Sequence, residues 1–325
     1  MSLIISVISD KMKIIFWGNG EFALVSLKKL VPRYQILGVV ASPDKRKGRG
    51  LKIGIDPIKE FSQRQRFSIY QPENLLSDFI DTLKKDEPEL FIVVNYGRKL
   101  TKEILSIPKI YSINLHPSLL PRYRGPAPIN WVLINGEKKT GISVIKISER
   151  IDAGEIIYQK EIEIKEEENA GQLGRRLAEE GALALLKTIE LIRHKKVVLA
   201  AQNEKEATYF PKLNKSDGEI DWSKPASQIY NLIRGFTPEP GAFTFWRGGR
   251  IKLWKTRVAP KRSSSSFFGE ILKIDKDKGI LVSTGRNGLW IEELQIEGRR
   301  RMSSKEFIIG HRISKNTILG RTKVS

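Results

Sequence analysis

The chain has 325 residues, 40% of them hydrophobic, with 57 Lys and Arg against 37 Asp and Glu for a net charge of +20. It has no cysteine and three histidines, which excludes disulfides, cysteine nucleophiles and thiolate metal centres and leaves too few imidazoles for a zinc site. No apolar run reaches the roughly 18 residues of a membrane-spanning helix, the length suggests two domains, and the excess positive charge favours a polyanionic partner such as nucleic acid.

The opening MSLIISVISDKMK lacks the basic leader and small-residue cleavage site of a signal peptide. The cytoplasm is therefore the expected compartment, and Met12 is a second candidate start. From there short apolar runs alternate with amphipathic stretches. KIIFWG (13–18) reads as a strand ending in a glycine turn. EFALVSLKKLV reads as a helix with Phe22, Val25, Leu27 and Leu30 on its inner face. QILGVVAS, FIVVNYG (91–97) and YSINLH (111–116) read as buried strands. Such continuous β-branched runs fit a mostly parallel, Rossmann-like sheet covered by helices on both faces. GISVIKIS (141–148) and EIIYQKEIEI (155–164) alternate more, as edge strands do, and AGQLGRRLAEEGALALLKTIELIRHKK is a long helix.

The texture changes over 203–225, a polar stretch broken by Pro211 and Pro225 that reads as a linker. A short helix, ASQIYNLIRGF, follows it. Then come short strands set off by Gly and Lys turns, the pattern of a small OB-like β-barrel. Trp222, Trp246, Trp254 and Trp290 are expected in its core, and KRSSSS (261–266) as a mobile loop. The predicted architecture is thus an α/β domain over 1–207 and a linker plus barrel over 208–325. The second part carries 23 basic and 11 acidic side chains, net +12, and is the better candidate for a polyanion contact.

INLHPSLLPRYRG (113–125) ends a buried strand in Asn114 and His116. Two residues apart on a strand, they share a face, at the carboxyl end where ligands bind in an open parallel sheet. The polar turn ERIDAGE (149–155) can bring Asp152 to the same crevice. A carboxylate beside an imidazole fixes its tautomer and raises its basicity. An Asn amide donates to a developing oxyanion. Together they suit acyl transfer to an amine; taken singly they are also an ordinary strand end and turn. Pro121 and Gly125 bracket a turn whose Arg122 and Arg124 can meet a carboxylate or phosphate. SPDKRKGRGLKIG (42–54) places Lys45, Arg46, Lys47 and Arg49 within five positions at a strand end, either to grip an anionic backbone or as a solvated charge run. GRRRM (298–302) has the same two readings. FWGNGEF lacks the glycine spacing of a dinucleotide fingerprint and has no P-loop lysine, so neither NAD nor ATP is expected there.

Taken together these stretches resemble the methionyl-tRNA formyltransferases over nearly the whole chain. The stretch from INLHPSLLPRYRGPAP to ERIDAGEII is similar to the signature of folate-dependent formyltransferases, while PDKRKGRG, QPENL (71–75) and RRMSSKEF are similar to the tRNA-acting branch. The resemblance implies 10-formyltetrahydrofolate as donor, the α-amino group of methionyl initiator tRNA as acceptor, and no metal; nothing in the sequence demands a dimer, so a monomer is expected. It implies His116 as the base, Asp152 orienting it, and Asn114 on the formyl oxygen. It implies a folate pocket at Val93, Asn95, Tyr96, Gly97, Ser118, Leu119, Leu120 and Pro121. It implies a tRNA grip by Lys45, Arg46, Lys47, Arg49 and Lys52, with Arg299, Arg300 and Arg301 in the second part. The chain departs from the family in GNGEF, where Gly-Thr-Pro-Glu/Asp-Phe is usual, in Arg98-Lys99 after Tyr-Gly, and in LKIGIDPIK after Gly-Arg-Gly. Two rival readings are a sugar-nucleotide N-formyltransferase, which has little use for the basic loop, and a non-catalytic RNA-binding protein, which has no use for Asn114, His116 and Asp152.

Overall fold

A computed structural model describes residues 11–47, 52–259 and 267–321. The chain forms two compact units: Met1–Pro126, Thr140–Ile162 and Arg175–Tyr209 make the first, and Ala127–Lys139, Glu163–Gly174 and Phe210–Ser325 the second. No helix among the described residues is long and apolar enough to cross a membrane.

In the first unit, β1 (Lys13–Gly18), α1 (Gly20–Leu30), β2 (Gln35–Val40), the short strands β3 (Lys45–Lys47) and β4 (Lys52–Gly54), α2 (Pro57–Arg64), β5 (Ser68–Tyr70), α3 (Ser77–Lys85), β6 (Leu90–Val94), α4 (Lys102–Leu105) and β7 (Tyr111–His116) follow in chain order. After α5 (Pro128–Ile134), which belongs to the second unit, come β8 (Lys139–Lys146), β9 (Ile156–Glu163) and α6 (Ala170–Arg193), the first turn of which also belongs to the second unit. One sheet runs β5-β2-β1-β6-β7-β8-β9. Its first five strands are parallel, and β8 runs antiparallel to β7. Ile14 to Trp17 and Leu90 to Val94 are buried throughout, as expected of strands covered on both faces. The order places β2 on one side of β1 and β6 on the other. The carboxyl ends of β1 and β6 therefore flank the switch point at which open α/β sheets hold ligands.

Two expectations change. Helix α1 buries Ala23, Leu24, Ser26, Leu27 and Leu30, leaving Phe22 and Val25 half-buried. At its first turn the helix lies close to the sheet: a Cβ on Gly18 would stand 2.8 Å from the Ala23 Cβ, so a small residue faces the strand there, while Leu27 and Leu30 are buried as expected. Strand β8 is not an edge either. It is buried along its length between β7 and β9, and β9 alone has the exposed edge pattern.

In the second unit, α7 (Ala226–Phe236) precedes β10 (Ala242–Trp246), β11 (Gly249–Val258), β12 (Ile271–Asp275), β13 (Gly279–Ser283), β14 (Gly288–Ile296), β15 (Met302–Ser303) and α8 (Ser304–Gly310). The two-residue turn Arg247-Gly248 has positive φ at both positions, 49° and 75°, the twist that suits a tight hairpin. The sheet path is β10-β11-β14-β13-β12, with β15 on β14. Among the described residues its ladders do not join β10 to β12, so the path is an open antiparallel one. The segment after α8 reaches both edges: Ile271 N–H donates to Thr317 O at 2.9 Å, and Gly320 N–H to Phe245 O at 2.9 Å. The core gathers Trp222, Ile229, Ile233, Phe236, Leu253, Leu289, Phe307 and Leu319. Of the four tryptophans expected there, Trp222 and Trp290 are buried. Trp246 and Trp254 are half-buried, under the guanidinium groups of Arg247 at 4.7 Å and Arg301 at 5.6 Å. The polar stretch 203–225 is not a free tether. Ile220 and Trp222 are core residues of the second unit, and Glu204 holds two arginines in the first. KRSSSS falls outside the described residues.

Candidate active site

Strand register sets the site. Val93 stands beside Asn114 and Val94 beside Leu115, while Gly18 stands beside Val94, so β1, β6 and β7 end at one level. His116 closes β7 with its side chain buried. The turn between β8 and β9 carries Asp152 toward it in a left-handed backbone conformation, φ 52°. Asp152 Oδ1 lies 3.6 Å from His116 Nδ1 and 3.5 Å from Asn114 Nδ2, and Oδ2 accepts from the Gly125 N–H at 2.9 Å. The three residues picked out by spacing and turn polarity are thus in one cluster.

The other ring nitrogen, Nε2, is 2.9 Å from the Tyr123 carbonyl oxygen. A carbonyl only accepts, so this network assigns the ring hydrogen to Nε2 and leaves the Nδ1 lone pair facing Asp152. A proton taken at Nδ1 then meets a carboxylate, and the resulting imidazolium has an acceptor at each nitrogen. Asn114 Nδ2 carries two hydrogens, of which Asp152 engages one at long range, so the other is free to donate.

The folate positions predicted from the resemblance divide. Asn95 is exposed at the end of β6 with φ 51°, and Gly97, φ 77°, has open space where a side chain would stand. Val93 and Tyr96 are buried beneath them. Ser118 and Leu120 are buried within their loop: Ser118 Oγ donates to Arg122 O at 2.8 Å, and Leu120 N–H to Ser143 Oγ at 3.1 Å. Leu119 packs over Gly141, and Pro121 is half-buried. Lys45, Arg46, Lys47 and Lys52 lie on the β3–β4 hairpin, with Lys47 paired to Lys52, and Arg49 lies outside the described residues. Arg300 and Arg301 pair with Glu306 and Glu293, and Arg299 is exposed.

Sequence reasoning picked out the GNGEF turn and Arg124 but missed the residues that each of them meets. Asn19, in the GNGEF turn, accepts from Ser42 N–H at 2.8 Å and donates to Tyr96 O at 2.8 Å, while Asn95 Nδ2 donates to Asn19 O at 3.0 Å. Gly20 N–H donates to both carboxylate oxygens of Asp56, at 3.0 and 3.1 Å. Two departures from the family pattern therefore contact each other: the glycine supplies an N–H where a proline has none, and the aspartate accepts it. The other set is Arg124, Gln202 and Glu204. Arg124 is fully buried and meets Glu204 through both Nη atoms, at 3.1 and 2.8 Å, with Arg150 Nη2 on the same carboxylate at 2.7 Å. These two guanidinium groups draw the Glu204 carboxyl down to about 2. Glu204 and Gln202 lie some 80 residues from Arg124 in a stretch that reads as a linker, so spacing gave no signal for them.

A Rossmann-like sheet with an Asn, a His and an Asp gathered at the carboxyl end of β7, one strand from the switch point, has side chains that suit group transfer. Residues 12–189 match the formyl transferase family and residues 212–312 the formyl transferase C-terminal domain. The chain belongs to this family, and within it to the methionyl-tRNA formyltransferases. It is 42% identical to the methionyl-tRNA formyltransferase of Caldanaerobacter subterraneus subsp. tengcongensis and 43% identical to that of Clostridioides difficile, in each case over 95% of this chain and 100% of the relative. Among solved structures it is similar to HypX from Aquifex aeolicus in complex with tetrahydrofolic acid, with a TM-score of 0.63 at 17% identity over 92% of this chain. The chain spans about half of HypX, 47% of its length, and a likeness at that identity speaks for the fold.

Proposed function

We propose that the protein transfers the formyl group of 10-formyltetrahydrofolate to the α-amino group of methionyl initiator tRNA, for the initiation of translation in the cytoplasm. The observation that carries this reading is the approach of Asp152 Oδ1 to both His116 Nδ1 and Asn114 Nδ2, at 3.6 and 3.5 Å. The donor supplies an activated formyl carbon. Its bond to the folate nitrogen breaks as a new amide bond to the methionine nitrogen forms. His116 Nδ1 takes the proton that the amine loses, and Asp152 stabilises the charged ring. Asn114 donates its free N–H to the formyl oxygen as negative charge develops there.

The exposed rim of Asn95 and Gly97 fits the folate, with Val93 and Tyr96 beneath it and the 118–121 loop beside it. Lys45, Arg46, Lys47, Arg49 and Lys52 hold the acceptor end of the tRNA. Residues 1–207 act as the catalytic domain. Residues 208–325 act as an OB-like RNA-binding domain with Arg299, Arg300 and Arg301 on its surface. Exposed ion pairs such as those of Arg300 and Arg301 are worth ~0–1 kcal/mol, so phosphate can displace them. The protein works as a monomer.

The test is transfer of labelled formyl to methionyl initiator tRNA beside a parallel reaction with an amino-sugar nucleotide. Label is expected on the tRNA alone. His116→Ala is expected to lower kcat by about 10²–10⁴-fold, the worth of a positioned general base. Label on the sugar with the tRNA untouched would move the acceptor to the rival class.

A further inference from the structure

The stretch Gln202–Thr208 lies outside the signature segment, yet it holds both partners of the His116 ring. Gln202 Nε2 donates to the backbone carbonyls of Asp152 at 2.8 Å and Gly154 at 2.7 Å. Its Oε1 accepts from Arg124 Nε at 3.1 Å and Nη2 at 2.7 Å. This pattern fixes which end of the amide faces which way. Arg124 in turn spends its remaining donors on Glu204 and on the Tyr209 hydroxyl at 2.5 Å, so none of its five N–H groups is unmatched in the interior. Six residues on, Thr208 Oγ1 accepts from Tyr123 N–H at 2.9 Å, and Thr208 O accepts from Arg124 N–H at 2.9 Å.

Asp152 and Tyr123 are the two residues that meet the imidazole, one by carboxylate and one by carbonyl. Both are non-glycine residues with left-handed backbone, φ 52° and 60°. Such backbone persists only where its surroundings hold it. In both cases this one stretch supplies a hydrogen bond to the strained residue, alongside the Gly125 N–H and Asn114 at Asp152.

We infer that Gln202 and Thr208 are positioning residues for the base: Gln202 fixes Asp152 against Nδ1, and Thr208 fixes the Tyr123 carbonyl against Nε2. The inference rests on the reading of His116 as the base. Each acts through the two groups that meet the ring rather than on substrate.

The test compares Gln202→Glu, Thr208→Val, Thr208→Ser and His116→Ala in the full-length protein, with kcat and KM for both substrates, the pH profile of kcat, and thermal unfolding. Gln202→Glu still accepts from Arg124 but has no hydrogen to give the two carbonyls. It is expected to lower kcat about 10- to 100-fold, as loss of a group that orients a reacting residue does, with both KM values within about twofold. Thr208→Val is expected to lower kcat, and Thr208→Ser to restore it. If Gln202→Glu does not fold, the Thr208 pair decides the matter alone. Unchanged kcat in Gln202→Glu, or in Thr208→Val, while His116→Ala is inactive, would overturn the inference and leave the base in place. Wild-type turnover in His116→Ala would instead remove the reading beneath it.

Discussion

A guanidinium with no solvent contact is tolerable only if every donor ends on an acceptor, and Arg124 meets that condition through residues some 80 positions away. Glu204 is the exposed end of this network, which fixes its pH behaviour. Its carboxyl has an ordinary value of 4.5 and is held at about 2 in the folded state by Arg124 and Arg150. A depressed carboxylate stabilises the fold above the unfolded value and loses that contribution as pH falls through the folded one. The stability gap between wild type and Glu204→Gln is therefore full above about pH 4.5 and closes toward pH 2. Urea midpoints measured from pH 7 down to pH 2.5 check this; a gap constant across that range refutes it. This scale also marks the limit of sequence reading. Asn114 and His116 were legible because a strand places i and i+2 on one face whatever surrounds it. Arg124 was legible only as a residue that seeks an anion. Whether that anion is a substrate or Glu204 depends on a return of the chain, which no local period encodes. Gln202 was not legible at all, because a lone polar residue in a polar stretch has no pattern to break.

Among the elements, the β8–β9 connection does the most with the least room. Gly154 closes the turn that presents Asp152, and a Cβ there would stand 1.7 Å from the Lys146 carbonyl oxygen. Backbone cannot yield as a side chain can. Gly154→Ala is expected to force the turn open, cost about 3 kcal/mol or more, and carry Asp152 away from His116. Denaturant unfolding and formyl transfer measured on the same sample test this: normal activity at reduced stability would mean that the turn shifts without moving Asp152. The sheet around it was largely legible, because buried parallel strands advertise themselves as unbroken apolar runs. Errors came where burial and alternation disagree. β8 carries polar Ser143 in an otherwise apolar run and so resembled an edge, whereas Ser143 Oγ is buried and donates to Ser118 O at 2.7 Å. The face of α1 was misjudged because close approach selects small residues, and a hydrophobicity pattern does not weigh size.

Across the whole molecule, closure of the second sheet was the feature that strand spacing could suggest but not specify. The residues after Asn316 hydrogen-bond to β10 and to β12, and Leu319 is buried beside Trp222 and Phe307 in the second unit's core. Ending the chain at Asn316 removes those bonds together with a buried leucine. Truncating a buried leucine costs about 2–5 kcal/mol. The shortened protein is expected to unfold at a clearly lower temperature, and an unchanged Tm would show that the edges need no such bridge. The basic hairpin at the other end of the chain is built on the opposite plan. Ser42, three residues before β3, is tied to Asn19, and Asp56, two residues after β4, is tied to Gly20. Next to these ties, Asp44 meets Lys59 and accepts from Gln71 at 3.1 Å. Everything between these posts is a cassette. The ties to Asn19 and Gly20 anchor both ends of the hairpin to the β1–α1 turn, so a change in charge on its two strands leaves those anchoring hydrogen bonds in place.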